Sequence, residues 1–435
     1  MYGLNRICTC GGGLFLVIYL ILVLTFGSTL VITEVSIGRK TKQSPLTAYA
    51  ELSRKWKPLG LLSCIIPMII LPYYCVIGGW VLRYLLAFAT GGGAATASDG
   101  YFSSFITGTS SPIIMALVYL VLTILVVICG VQKGIEKFSK IIMPLLIVLI
   151  IVIVFFSLNL SYTDEAGNVR TGMQGLKILL IPDLASVTLP SLLTTAMDAM
   201  GQLFYSLSVA MGILIAYGSY MPDDVSIKKS VSEIEIFDTG IAFLAGMMII
   251  PAVYVFMGKE GMEASGPGLM FVSLPMVFTR MGRAGNIIGF LFFALVLFAA
   301  LTSSVSILEA IVSSFMDRFG LDRKKATIIE GIIAAALELL VCLGYNVLYF
   351  EYTLPNGATA QILDIMDYIS NNLLMPIISI CTCILIGWVL KPTVITDEIT
   401  KNGEKFRSGR LYTIMLKFVA PLLLAILLLK AVNIL

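Results

Sequence analysis

Histidine is absent from the sequence. Imidazole-based proton relays, catalysis and metal sites are therefore excluded. Charge is scarce as well: Asp, Glu, Lys and Arg make up 13% of the 435 residues, against 58% hydrophobic. That balance excludes an ordinary soluble domain and predicts a membrane protein with many spans. A net charge of +3 is too small to suggest a nucleic-acid partner. The eight cysteines include two C-x-C pairs, Cys8/Cys10 and Cys381/Cys383, but no second pair stands beside either at zinc-ligand spacing. Neither a zinc site nor a disulfide scaffold is expected. Phosphate-binding loops, nucleophile–base pairs and carboxylates paired across a cleft are missing too, so enzyme chemistry has no visible site.

What is present is a series of long apolar runs with helical spacing. They predict an all-α polytopic membrane protein, not an outer-membrane barrel. Ten spans are expected near 13–38, 59–89, 112–131, 138–160, 196–220, 228–257, 286–316, 326–348, 362–390 and 411–434. Several exceed the roughly 20 residues that a crossing needs, which implies tilt or breaks. The segments 39–58, 91–111, 162–190, 258–285, 350–361 and 391–410 read as loops. One alternate set of loops holds 21 of the 29 basic residues, among them Arg39, Lys133, Arg323 and Lys401. Lys and Arg concentrate on the cytoplasmic side, so the spans start and finish outside. The apolar run from Gly13 is too long for a signal peptide, and residues 1–10 are too short and polar to cross. A single multi-pass domain in the plasma membrane follows, with the lipid bilayer as its surroundings.

Four polar clusters interrupt the spans. The run 201–212, GQLFYSLSVAMG, places a glutamine, two serines and a glycine at each end inside a crossing. Polar groups at that depth usually face a cavity, a partner helix or a ligand. An unwound helix exposes carbonyls and amides to a ligand, whereas packing between helices is the alternative. The run 299–306, AALTSSVS, supplies hydroxyls near the middle of another span. Hydroxyls and helix carbonyls are hard donors suited to sodium, unless they merely bond back to the preceding turn. The remaining clusters are Tyr73-Tyr74 with Gly78-Gly79-Trp80, and Asp364 with Asp367 at the outer start of a span.

These residues resemble the sodium-coupled neurotransmitter symporter family, in its bacterial amino-acid-transporting branch of eleven helices. The resemblance is carried by Gly11-Gly12-Gly13-Leu14-Phe15, Glu34 with Ile37-Gly38-Arg39, Tyr73-Tyr74 with Gly79-Trp80, and the run 130–137, GVQKGIEK. It continues through Gly201-Gln202, Ser206-Leu207-Ser208, Tyr217-Gly218-Ser219-Tyr220, Leu301-Thr302-Ser303-Ser304, and Asp364 with Asp367. It runs from about residue 11 to 435, and order and spacing agree together. The implied fold is an inverted repeat with broken helices that bind at the bilayer midplane.

The resemblance also implies roles. Tyr74 would bond a substrate carboxylate. Ser206 would be a ligand of one sodium ion, and Ala299 (through its carbonyl), Thr302 and Ser303 of a second. Ile70, Phe204, Tyr205, Ser208, Met211, Ser303 and Ile307 would wall the substrate pocket, with Tyr205 as its outer lid. Asp367 would belong to an outer gate, and Asp317 with Tyr220 to an inner one. Asp238 stands where the family often has an asparagine that ligates the first sodium. Its charge would replace the chloride that other branches use, so chloride is not required. Hydropathy alone places Asp238 near the cytoplasmic edge of its span.

One family element has no full counterpart in the sequence. The first, broken helix should precede the Gly-Gly-Gly motif, yet only residues 1–10 do, with Gly3-Leu4-Asn5-Arg6-Ile7 as a faint echo. Ten helical residues reach about 15 Å, half of a core of about 30 Å. The expectation is a symporter body of ten spans with residues 1–10 as a remnant, impaired in transport, from truncation or frameshift or as a divergent member. The function expected is sodium-dependent symport of a hydrophobic or aromatic amino acid. A transport-incompetent binding or regulatory protein and a proton-coupled carrier are the alternatives. Oligomeric state is left open.

Overall fold

The computed structural model describes residues 12–163, 167–182, 187–263 and 266–434. Residues 1–11, which include the remnant of the first helix expected from the sequence, lie outside the described residues.

Among the described residues, nine helices are long and apolar enough to cross a membrane. In chain order the helices used below are α1 (Gly12–Thr41), α2 (Pro45–Leu52), α3 (Lys57–Ala89), α4 (Ser111–Ile128), α5 (Val131–Leu158), α6 (Gly172–Leu180), α7 (Leu189–Ser206) and α8 (Ile213–Tyr220). They continue as α9 (Ile227–Met257), α10 (Leu274–Arg280), α11 (Arg283–Phe319), α12 (Arg323–Leu343), α13 (Ile362–Val389), α14 (Thr393–Thr400) and α15 (Gly409–Ala431). The tenth expected crossing is the pair α7 and α8, a single apolar stretch split in the middle. The fold is that of a multi-pass helical membrane protein.

Local chemistry fixes several helix ends. Thr188 and Ser191 form a reciprocal capping box at the start of α7, with Pro190 in its first turn. The Ser226 hydroxyl accepts from Lys229 N at 3.2 Å to open α9. Prolines at 67, 72, 144 and 251 sit inside spans and remove helix hydrogen bonds there.

Two expected loops carry structure of their own. The 162–190 segment holds α6 and most of a two-stranded hairpin, β1 (Ser161–Thr163) paired antiparallel with β2 (Val169–Thr171). The 258–285 segment contains α10, capped by a Phe278–Phe292–Phe293 contact with α11. The helical pieces in both are short and flanked by Gly and Pro, a loop signal in the sequence that packing against the spans overrides. A second small hairpin joins β3 (Tyr352–Thr353) and β4 (Thr359–Ala360).

The core runs through the middle of the bundle, where α3 packs on α11, α4 and α12. Trp80 of α3, 2% exposed, meets Phe102, Phe271 and Tyr345 edge-on at 5.2–5.8 Å between centroids. Close approach of α1 and α8 depends on two glycines. A Cβ at Gly38 would lie 2.1 Å from Ile215 O, and one at Gly218 would lie 2.4 Å from Val35 O.

Candidate functional site

The site is built on the break between α7 and α8. Residues 207–212 leave the helix, and φ turns positive at Ser208 (54°), Ala210 (64°) and Gly212 (75°). Such values are unusual for residues with a Cβ, so the surroundings must hold them. Glu34 of α1, fully buried, does so at one point by accepting Ala210 N at 2.8 Å. Gly212 closes the break: a Cβ there would lie 2.9 Å from the Pro45 ring and 3.0 Å from Ser63 O. The expectation of an unwound segment inside 201–212 is met, with the break starting after Ser206.

At the end of α7 the Ser206 hydroxyl donates to Asp238 Oδ1 at 2.6 Å. The other carboxylate oxygen accepts from the Tyr19 hydroxyl of α1 at 3.1 Å. Asp238 is half-buried and faces the break, not the helix end that hydropathy suggested. Tyr19 is a partner that the sequence did not reveal; nothing in an apolar run marks one tyrosine as facing a carboxylate 219 residues on.

On α11, Ala299 and Ser303 are exposed in mid-helix, and Thr302 is half-buried beside them. Thr302 Oγ1 donates to Ala299 O at 2.8 Å, so two of the expected ligands already touch each other. This is the back-bond to the preceding turn that the sequence left open as an alternative. Ser304 points the other way, into a buried cluster with Thr123 at 2.8 Å and Tyr119 at 3.2 Å. Ser306 bonds Tyr217 of α8 at 2.9 Å, tying the inner half of the broken crossing to α11.

Tyr74 of α3 lies close to Ser303. Ile70, Phe204, Met211 and Ile307 are buried around this region, and the Phe204 ring lies 6.4 Å from that of Phe26. Ser208 is half-buried in the break itself, and Tyr205 is 39% exposed on the outer side. Beyond Tyr205 a cavity of about 420 Å³ is lined by Gly201, Gln202, Tyr205, Asp367, Asn371 and Lys430. Asp367 Oδ1 accepts from Asn371 Nδ2 at 2.6 Å, and Asn371 also donates to the Tyr73 hydroxyl at 3.2 Å.

The two residues expected together at an inner gate are not joined. The Tyr220 hydroxyl donates to Glu309 Oε1 at 2.6 Å, and Arg323 holds the same carboxylate in a two-pronged pair at 2.5 and 2.9 Å. Asp317 instead accepts Ser44 N at 2.6 Å, ahead of α2. The physical reason is reach: Glu309 lies two helical turns deeper and meets Tyr220 from across the interface. Glu309 and Arg323 were missed, although an acid inside an apolar span is itself a signal.

Further toward the Lys/Arg-rich face, Arg39 is buried at the end of α1. Its Nε donates to Glu398 Oε1 of α14 at 2.8 Å, its Nη1 to Val225 O at 2.7 Å, and its Nη2 to Glu398 O. Outside this, Asp223 receives Lys42 and Lys401, each at 2.9 Å. Those two ammonium groups hold the Asp223 carboxyl down at about 2.

A family model described as "Sodium:neurotransmitter symporter family" matches residues 6–94 and 105–435. The chain is 32% identical over 434 residues to YhdH, a sodium-dependent transporter of Bacillus subtilis, covering 98% of this chain and 91% of the relative. It is 29% identical to a sodium-dependent transporter of Methanocaldococcus jannaschii, over 98% of this chain and 85% of that one. The human sodium- and chloride-dependent GABA transporter 2 is 23% identical over 80% of this chain and 64% of its own. The crystal structure of MhsT in complex with L-phenylalanine matches with a TM-score of 0.83 and 33% identity, over 98% of this chain and 94% of that chain.

Proposed function

The chain belongs to the sodium:neurotransmitter symporter family, and from that premise we propose that it carries a hydrophobic or aromatic amino acid inward with sodium. Sodium-coupled transport is the family's activity, and nothing in the comparisons supports the impairment expected from the sequence. The observation that carries it is the meeting of Ser206 with Asp238 at the break of a crossing helix. A hydroxyl and a carboxylate beside uncommitted backbone oxygens are hard, anionic donors that suit a small alkali cation.

In this reading Ser206 and Asp238 serve one sodium ion, and Ala299 O, Thr302 and Ser303 a second. Tyr74 donates to the substrate carboxylate. Ile70, Phe204, Met211 and Ile307 give the side chain an apolar surround, with Tyr205, Ser208 and Ser303 at its polar edge. That surround fits a bulky apolar side chain, as does the phenylalanine bound to MhsT. Asp367 with Asn371 acts at the outer mouth. Tyr220 and Asp317 act at the inner end through separate partners, Glu309 and Ser44. Because Asp238 supplies the anionic charge beside the first cation, chloride is not required.

The test is uptake into proteoliposomes. An inward sodium gradient should drive accumulation of radiolabelled phenylalanine or leucine, with equal rates in chloride and gluconate. Uptake that ignores the sodium gradient overturns the sodium reading. Uptake restricted to small or charged amino acids overturns the substrate reading.

A further inference from the structure

The span α12 carries two acids that the transport site does not use. Its buried stripe includes Thr327, Glu330, Ala334, Glu338 and Val341, at steps of three and four residues. Both glutamates therefore point into the bundle and away from lipid. Glu330 is 0% exposed and Glu338 1%, and none of their four carboxyl oxygens has a hydrogen-bond partner. Glu309 and Glu398, also buried, are by contrast paired: Glu309 takes Arg323 and Tyr220, and Glu398 takes Arg39.

Among the described residues neither glutamate has an ion-pair partner. The titratable side chains that face them are thiols. Cys64 of α3, close to Ser314 of α11, stands beside Glu330. Cys75 of α3 and Cys342 of α12 stand beside Glu338. From α4 come Ile124, packed over Gly331, and Tyr119, which is spent on Ser304. A carboxylate in such surroundings has neither a counter-ion nor a donor, and an isolated charge in a membrane interior takes up a proton instead.

We infer that Glu330 and Glu338 are proton-binding sites of the folded chain, each holding one proton as a neutral acid against α3. Loss of that proton to water leaves a carboxylate with no partner in the interface between α12 and α3, and loosens it. Glu330 lies about 10 Å along the axis from Arg323 at the basic end of α12, and Glu338 about 12 Å deeper. Exchange with water therefore begins at Glu330 from the Lys/Arg-rich side. The inference stands on α12 and does not depend on which solute the chain carries.

Infrared spectroscopy of the reconstituted full-length protein tests it, read on the carbonyl band of protonated carboxylic acids at neutral pH. Labelling glutamate with ¹³C should shift that band. Each of Glu330→Gln and Glu338→Gln should weaken it, and the double variant should weaken it further while losing the fall in stability that sets in as pH rises above the ordinary glutamate pKa of about 4. Glutamine copies the shape of the neutral acid, so all three variants should fold and keep wild-type sodium-driven uptake at neutral pH. A band unchanged in the double variant overturns the inference. So does an unaltered fall in stability with rising pH, or a double variant that cannot fold.

Discussion

Ser206 and Asp238, 32 residues apart in the chain, share a 2.6 Å hydrogen bond at the point where a crossing helix comes undone. The bond fixes the carboxylate beside the break. Asp238→Asn keeps the shape and removes the charge. Sodium dependence of uptake should then shift to concentrations about tenfold higher, which is about 1.4 kcal/mol of lost cation affinity. Ser206→Ala should shift it less. An unchanged sodium dependence in both variants would remove these residues from the site.

The Arg39–Glu398 pair is buried on both sides, with side chains 1% and 6% exposed. Removing one partner strands the other charge. Arg39→Ala should lower stability by about 3–5 kcal/mol, read as a loss of melting temperature in detergent. Arg39→Lys should not restore it, because one ammonium cannot serve Glu398 and Val225 O with the geometry of a planar guanidinium.

The contact of α1 with α8 leaves no room at two positions. Gly38→Ala or Gly218→Ala would drive a methyl group into backbone of the facing helix. Each should cost about 1–3 kcal/mol and reduce folded yield, whereas Gly240→Ala, which meets nothing within 4 Å, should be neutral. Equal yields from all three would show that the helices can move apart freely.

Asp223 gives a pH dependence whose sign is fixed. Lys42 and Lys401 depress its pKa from 3.8 to about 2. A depressed carboxyl pKa stabilises the fold above the unfolded value and loses that contribution as pH falls through the folded one. Asp223→Asn should therefore be less stable than wild type at neutral pH. The gap should close as pH drops from about 4 to about 2, and it should narrow in high salt because the pair is exposed. A gap that persists at the acid end would assign the effect to packing.

Much of the architecture was legible because hydropathy is a local property. The spans, the all-helical class and the break inside 201–212 follow from runs of residues that need no partner to be read. Gly212 signals its own left-handed turn. What could not be read were pairings between helices. Tyr19 with Asp238, and Arg323 with Glu309, are joined by the packing of spans, and no spacing in the chain encodes them. The separate partners of Tyr220 and Asp317 show the same limit, since depth along a helix decides which carboxylate a tyrosine can touch. The Thr302 hydroxyl shows the opposite case: its bond to Ala299 O is local, and the sequence raised it as one of two outcomes.

The break at 207–212 also divides the loads on one crossing. Outside it, α7 leans on α1 and ends at Asp238. Inside it, α8 is wedged against α1 by two glycines, hooked to α11 through Ser306, and anchored by Tyr220 to the Glu309–Arg323 pair. With no continuous ladder of hydrogen bonds between them, a torque on one half is not handed on to the other. The chain thus has, within a single span, two levers on one pivot, and whatever settles at the pivot can set the angle between them.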